Sequence, residues 1–239
     1  MKSGIRNALA ALAIVAGSSS AGAGIVSTSG AVQFVASPPS DVSSNQWESN
    51  TIIRAFDEQQ GLTLPQDVAV DITLPGTSPG ATTDNLSPGV IPAGMIVNSY
   101  ALHFDVNGTR ATDNALEATG SVTLGDDILG LIVISDNLNS SNGILGLPGL
   151  TYANGPDHGL EINPAGGGTS DFITLSSDRR TVTVDLMNAS FSDDVRILTA
   201  VPAASAVPLP AAAWQGSIIL SILVGVGIAR GEWVRRRLS

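Results

Sequence analysis

Apolar and polar residues alternate with period two through most of the chain's middle, the pattern of strands with one face in a core and one in water. The cleanest run is Val68-Ala69-Val70-Asp71-Ile72-Thr73-Leu74, which stops at Pro75-Gly76. A looser run covers 26–35, and a longer one covers 95–106, with Val97, Tyr100, Leu102 and Phe104 as inward positions. Further strands are predicted over 122–124, 128–134, 172–175, 182–186 and 195–198. Gly, Pro, Asn, Asp and Ser fill the separators, as tight turns require, and Ser177-Asp178-Arg179-Arg180 suits a hairpin. The one helical candidate is 49–60, where Ile52, Ile53 and Phe56 share a face and Gly61 would be the C-cap. Residues 77–94, with three prolines and three glycines, read as a long loop. Short strands at this density predict an all-β fold, an antiparallel β-sandwich of jelly-roll type. Strand order does not follow from the pattern.

The two ends break the alternation. Lys2 and Arg6 precede an apolar stretch over 8–17 and the small-residue site Ala21-Gly22-Ala23, which is the order of a secretory signal peptide. At the other end, Val207-Pro208-Leu209-Pro210-Ala211 is followed by Trp214, an apolar stretch over 217–229, and then Arg230, Arg235, Arg236 and Arg237. From Pro210 the uncharged stretch runs 20 residues, enough for one transmembrane helix. The arginines would hold its C-terminal end in the cytoplasm. The expected organisation is therefore a signal peptide at 1–23, an extracellular β domain at 24–199, a linker at 200–206 and a membrane-anchored tail at 207–239.

That tail resembles the PEP-CTERM family of sorting signals, in its variant with a Val-Pro-Leu-Pro-Ala signature. Carried over residue by residue, the sorting motif is Val207, Pro208, Leu209, Pro210 and Ala211, and Arg230, Arg235, Arg236 and Arg237 are the membrane-stop charges. The resemblance implies export by the Sec machinery, transient anchoring in the inner membrane, and transfer by an exosortase to the cell surface or beyond. Exosortases belong to Gram-negative bacteria that also make exopolysaccharide, so exopolysaccharide is the implied partner. The run 47–71, the run 97–105 and Gly159-Leu160-Glu161 are similar to an uncharacterised extracellular β domain that accompanies such tails. That similarity implies a β fold and no activity.

Charge narrows the partners. Between residues 24 and 206 there are twenty acidic residues against five arginines and no lysine, which leaves the body at −15. Such a field repels nucleic acid, whose recognition needs a basic footprint. The chain has no cysteine, so disulfides, thiolate metal sites and cysteine nucleophiles are excluded together.

Chemical motifs are few. Gly76-Thr77-Ser78-Pro79-Gly80 fits the spacing of a nucleophile elbow, but Pro79 has no N–H to offer an oxyanion, and no helix pattern follows. The two histidines, His103 and His158, each read as hydrogen-bonded or solvated; by parity His103 shares a strand face with Ala101 and Asp105. No catalytic set and no bound cofactor is selected. Calcium is the one ligand with compositional support, since Asp and Asn oxygens suit a hard cation. Its candidate loops are Gly125-Asp126-Asp127, Asp136-Asn137-Leu138-Asn139 and Ser192-Asp193-Asp194. The expectation is a non-enzymatic surface or matrix protein; the alternative is a secreted carbohydrate-binding or carbohydrate-active protein. Scarce aromatics in the body weigh against the latter, because sugar sites use aromatic platforms.

Overall fold

The computed structural model describes residues 24–78, 86–161 and 171–201. The expected signal peptide at 1–23, sorting motif at 207–211, tail helix and membrane-stop arginines, and residues 202–206 of the expected linker, lie outside them. Among the described residues no helix is long and apolar enough to cross a membrane.

The chain is mostly β. One sheet runs in the order β1 (Ile25–Gly30), β10 (Leu116–Leu124), β14 (Thr181–Asn188), β13 (Phe172–Leu175), β7 (Gly76–Ser78), all antiparallel. The other runs β11 (Ile128–Ile132), β15 (Asp193–Ala200), β9 (Ile96–Phe104), β4 (Ile53–Asp57), β2 (Val32–Phe34), with β5 (Leu62–Thr63) also on β9. Its pairs are antiparallel except β2 with β4. Two short pairs accompany it: β3 (Asp41–Val42) parallel to β12 (Thr151–Tyr152), and β6 (Val68–Val70) antiparallel to β8 (Gly89–Ile91). Among the described residues there is one α-helix, α1 (Ser135–Leu145).

The two large sheets meet face to face. Val122, Val184 and Leu186 from the first interdigitate with Leu102, Phe104 and Ile197 from the second, all at 1% exposure or less. Each such side chain contributes about 1.5–3 kcal/mol by leaving water, so this layer is the main source of stability. A second cluster lies on the far side of the second sheet, where Val68, Val70 and Ile91 of the β6–β8 pair, with Leu138 and Leu145 of α1, cover Val97, Ile132 and Leu198. The second sheet is therefore buried on both faces. That is why β15 is buried along nearly its whole length rather than at every second residue.

Passage from one sheet to the other within two residues needs backbone contact. Gly30, at φ +62°, faces Gly120 across the β1–β10 register. A Cβ on Gly30 would stand 2.4 Å from the Thr119 carbonyl oxygen, and one on Gly120 would stand 2.5 Å from that of Ser29. Only glycine allows this approach.

Each predicted run contains a strand, but 26–35 divides into β1 and β2 in different sheets, and 68–74 is a strand only over β6. The hairpin at 177–180 joins β13 to β14, with Arg179 at φ 57°. Three expectations are corrected. The segment 49–60 is not a helix: Ile53 and Ala55 alternate with Arg54 and Phe56 across β4, and Gly61 sits in a turn whose N–H bonds to Asn98 Oδ1 at 2.8 Å. The loop over 77–94 contains most of β7 and all of β8. Residues 136–139 lie inside α1 rather than in a loop.

Candidate functional site

Strand parity decides which polar side chains meet. On β15, Asp193, Val195 and Ile197 face the space between the sheets, while Asp194, Arg196 and Leu198 face the covered far side. His103 on β9 lies opposite Asp194 in register, on that far side, as its parity in the sequence requires.

Two polar clusters form there. Arg196, at 2% exposure, donates to both Glu58 carboxylate oxygens, at 2.7 and 2.8 Å. It also donates to Ser141 Oγ, the Leu138 carbonyl and Asn142 Oδ1. Glu58 follows β4 and the other three acceptors belong to α1, so this guanidinium binds the helix to the sheet. Tyr152 lies 5.3 Å from it, ring against cation, and burial pushes the Tyr152 phenol far above its ordinary value, with Glu58 adding to the shift.

The second cluster centres on Asp194. His103 Nδ1 lies 2.8 Å from Oδ1, His158 Nδ1 lies 3.2 Å from Oδ2, and the Ser192 hydroxyl donates to Oδ2 at 3.1 Å. Burial opposes the Asp194 charge, but His103 first, then His158, more than offset it and hold its carboxyl at about 2. The far nitrogen of His158 faces Asn139 Oδ1 at 2.8 Å, and Asn139 Nδ2 is committed to the Gly155 carbonyl. Both ring nitrogens of His158 thus face side-chain oxygens. Trp47 stacks on His103 at 5.9 Å between centroids. Here the carboxylate stands between two imidazoles, with serine on the carboxylate. In a hydrolytic triad the imidazole stands between serine and aspartate.

Beside this cluster a groove of about 270 Å³ opens between Ser43, Ser44 and the 153–158 segment, with His158 in its wall and the half-exposed Phe191 at one side.

A third cluster lies at the rim between the sheets. Asp171 immediately precedes β13, Asp193 begins β15, and Glu161 lies in the segment after β12. One carboxylate oxygen from each lies within 4.8 Å of the other two. Asp171 is fixed by the backbone N–H groups of Glu161 and Met187, at 2.7 and 2.8 Å. Burial raises all three carboxyls, and the nearby carboxylates push the same way on Glu161 and Asp193. Glu161 is carried up to about 8.

Among the three calcium loops expected from sequence, only Ser192-Asp193-Asp194 contributes to an acid cluster. Asp127 instead pairs with Arg180 at 3.1 Å, Asn137 donates to Asp71, and Asn139 serves His158. Glu161, Asp171 and the neighbouring Asn188 were not singled out as ligands; Asp171 and Asn188 occupy strand ends, where Asp and Asn normally signal turns. Ser78 of the elbow-like pentapeptide ends β7, an edge strand of the first sheet, paired with β13. No protein-family pattern matches the chain, and a search of curated proteins and of solved structures finds no match either.

Proposed function

We propose that this is an exported, non-enzymatic surface or matrix protein, sorted by an exosortase after Sec-dependent export and associated with exopolysaccharide. The observation that carries the reading is the fixed order in the tail: Val207 to Ala211, an apolar stretch of spanning length, then Arg230, Arg235, Arg236 and Arg237. A single helix over that stretch would anchor the protein in the inner membrane until transfer. The body fits the role. Its chain crosses between sheets at β1–β2, β9–β10, β10–β11 and β14–β15, a connectivity in keeping with a jelly-roll-like sandwich. Its buried arginine and histidines serve contacts that hold the covering segments down.

Replacing Arg235, Arg236 and Arg237 with Ala should release the protein from the inner membrane. Changing Pro208 and Pro210 to Ala should leave it inserted but unprocessed. Epitope-tagged variants followed by cell fractionation and mass measurement separate the two effects. Wild-type processing and location in both variants would remove the sorting reading.

A second reading has one observation behind it: the 270 Å³ groove sets Phe191 beside Asn154 and Asp157. An exposed ring with polar neighbours is what a saccharide binds. A glycan array with the purified protein decides, since micromolar binding lost in Phe191→Ala would favour a carbohydrate-binding module.

A further inference from the structure

The acid cluster at the rim poses a charge problem that the protein's own groups do not solve. Asp193 is 2% exposed and Asp171 is wholly buried, yet the charged groups that act most strongly on the cluster are one another and Asp157, Asp185 and Asp194. Buried carboxylates at this spacing need either protons or a cation. A cluster of acids alone would not distinguish these, but two further atoms do. Asp193 Oδ2 has no hydrogen-bond partner. Asn188, also 2% exposed, keeps its Nδ2 on the Phe191 carbonyl and leaves Oδ1 without a partner.

Parity puts these atoms in one place. Val182, Val184 and Leu186 of β14 point into the core between the sheets, and Asn188 is the next residue on that face. Asp193 is on the inward face of β15, and Asp171 is in phase with Ile173 and Leu175, the inward residues of β13. The Asn188 side chain meets Asp193. Three carboxylates therefore converge, from the ends of β13 and β15 and from the segment after β12, with the Asn188 side chain at the end of β14 against Asp193. With no sulfur or imidazole among them, the donor set suits a hard cation. Two oxygens on opposite sides of calcium, each at about 2.4 Å, are about 4.8 Å apart. One oxygen from each of the three carboxylates lies within that reach of the other two. Magnesium demands a strict octahedron at about 2.0–2.1 Å and usually keeps several waters on one or two carboxylates, so three converging carboxylates suit calcium's larger, more flexible shell better.

We propose that Glu161, Asp171, Asp193 and the Asn188 amide oxygen bind one calcium ion, which ties β13, β14 and β15 together at the rim of the sandwich. The remaining coordination positions would be taken by water or backbone oxygen. This site does not depend on the sorting reading, because it uses no residue of the tail.

The experiment uses the purified full-length protein in detergent. Equilibrium dialysis against CaCl₂ should give one calcium per chain. Thermal melts at saturating CaCl₂ should lie roughly 5–10 °C above those in EDTA, the shift expected for a ligand at about a hundred times its Kd on a domain of this size. The Asp193→Asn variant removes one buried charge, so in EDTA it should melt at or above wild type, yet gain nothing from calcium. Glu161→Gln should lose most of the calcium response, whereas Asp127→Asn, at the exposed turn between β10 and β11, should keep all of it. The proposal is overturned if dialysis finds no calcium and wild-type melts coincide in CaCl₂ and EDTA. It is equally overturned if MgCl₂ reproduces the shift, or if Asp193→Asn responds to calcium like wild type.

Discussion

A buried arginine must satisfy every N–H it brings out of water, and Arg196 does so with five hydrogen bonds for its five donors. Its partner Glu58 has a side chain with no exposed area at all. Removing the cation therefore strands a carboxylate in the interior, which costs far more than the attraction that is lost. Arg196→Met should lower unfolding free energy by about 3–5 kcal/mol. The double variant Arg196→Met with Glu58→Leu should recover much of that, because two apolar side chains leave no charge behind. Urea unfolding of the two variants checks this. A single-variant loss below about 1 kcal/mol, or a double variant weaker than the single, would show that the pair does not hold α1 to the sheet.

That helix is an element which local sequence disfavours. Its eleven residues include three Ser, three Asn and Gly143, all modest or poor helix formers. The N-cap position is Ile134, which makes no capping bond. Ser135, the residue that looks like a cap, instead accepts the backbone N–H groups of His158 and Gly159. The start of the helix is held from a distant part of the chain: Asp71 accepts from the Val133 and Ile134 N–H groups at 2.7 and 2.9 Å and from the Asn137 amide at 2.5 Å. Asp71→Ala should thus cost about 2–3 kcal/mol, roughly one for each lost bond. It should also speed hydrogen exchange over 135–145 more than elsewhere, as mass spectrometry would read. Unchanged protection there would mean the helix holds without Asp71. The strands were legible in sequence because each carries its own period of two; α1 was not, since its cap and docking partners come from elsewhere in the chain. Segment 49–60 was misread because Ile52, Ile53 and Phe56 satisfy a helical face as well as β4 does, and only the pairing with β9 decides. The polar clusters were half legible: parity placed His103 on its face, and Asp193 stood in a candidate loop. What joins Asp193 to Glu161 and Asp171 is sheet order, which periodicity does not contain.

The internal use of arginine shapes the exterior. Arg196 is buried against Glu58, Arg179 donates to the carbonyls of Thr73, Ile128 and Leu129, and Arg54 donates to those of Trp47 and Glu48 beneath its stack on the Trp47 ring. Arg180, paired with Asp127, remains at the surface. Three of the body's five arginines are thus tied to its own framework, and twenty acids against five arginines leave the field around it negative. A domain of this length has a radius of gyration of about 16 Å, so at 0.01 M salt, where screening extends about 30 Å, these charges repel one another across the whole fold. Unfolding moves them apart and relieves the strain. At 0.5 M NaCl the screening length falls to about 4 Å and the repulsion is confined to neighbours. Salt should therefore stabilise this protein: with EDTA present to keep calcium out, raising NaCl from 0.01 to 0.5 M should lift Tm by several degrees. Differential scanning calorimetry at stepped NaCl concentrations tests it. A Tm that stayed flat or fell would mean that the exposed ion pair and the buried clusters, which salt weakens or leaves alone, outweigh the excess of negative charge.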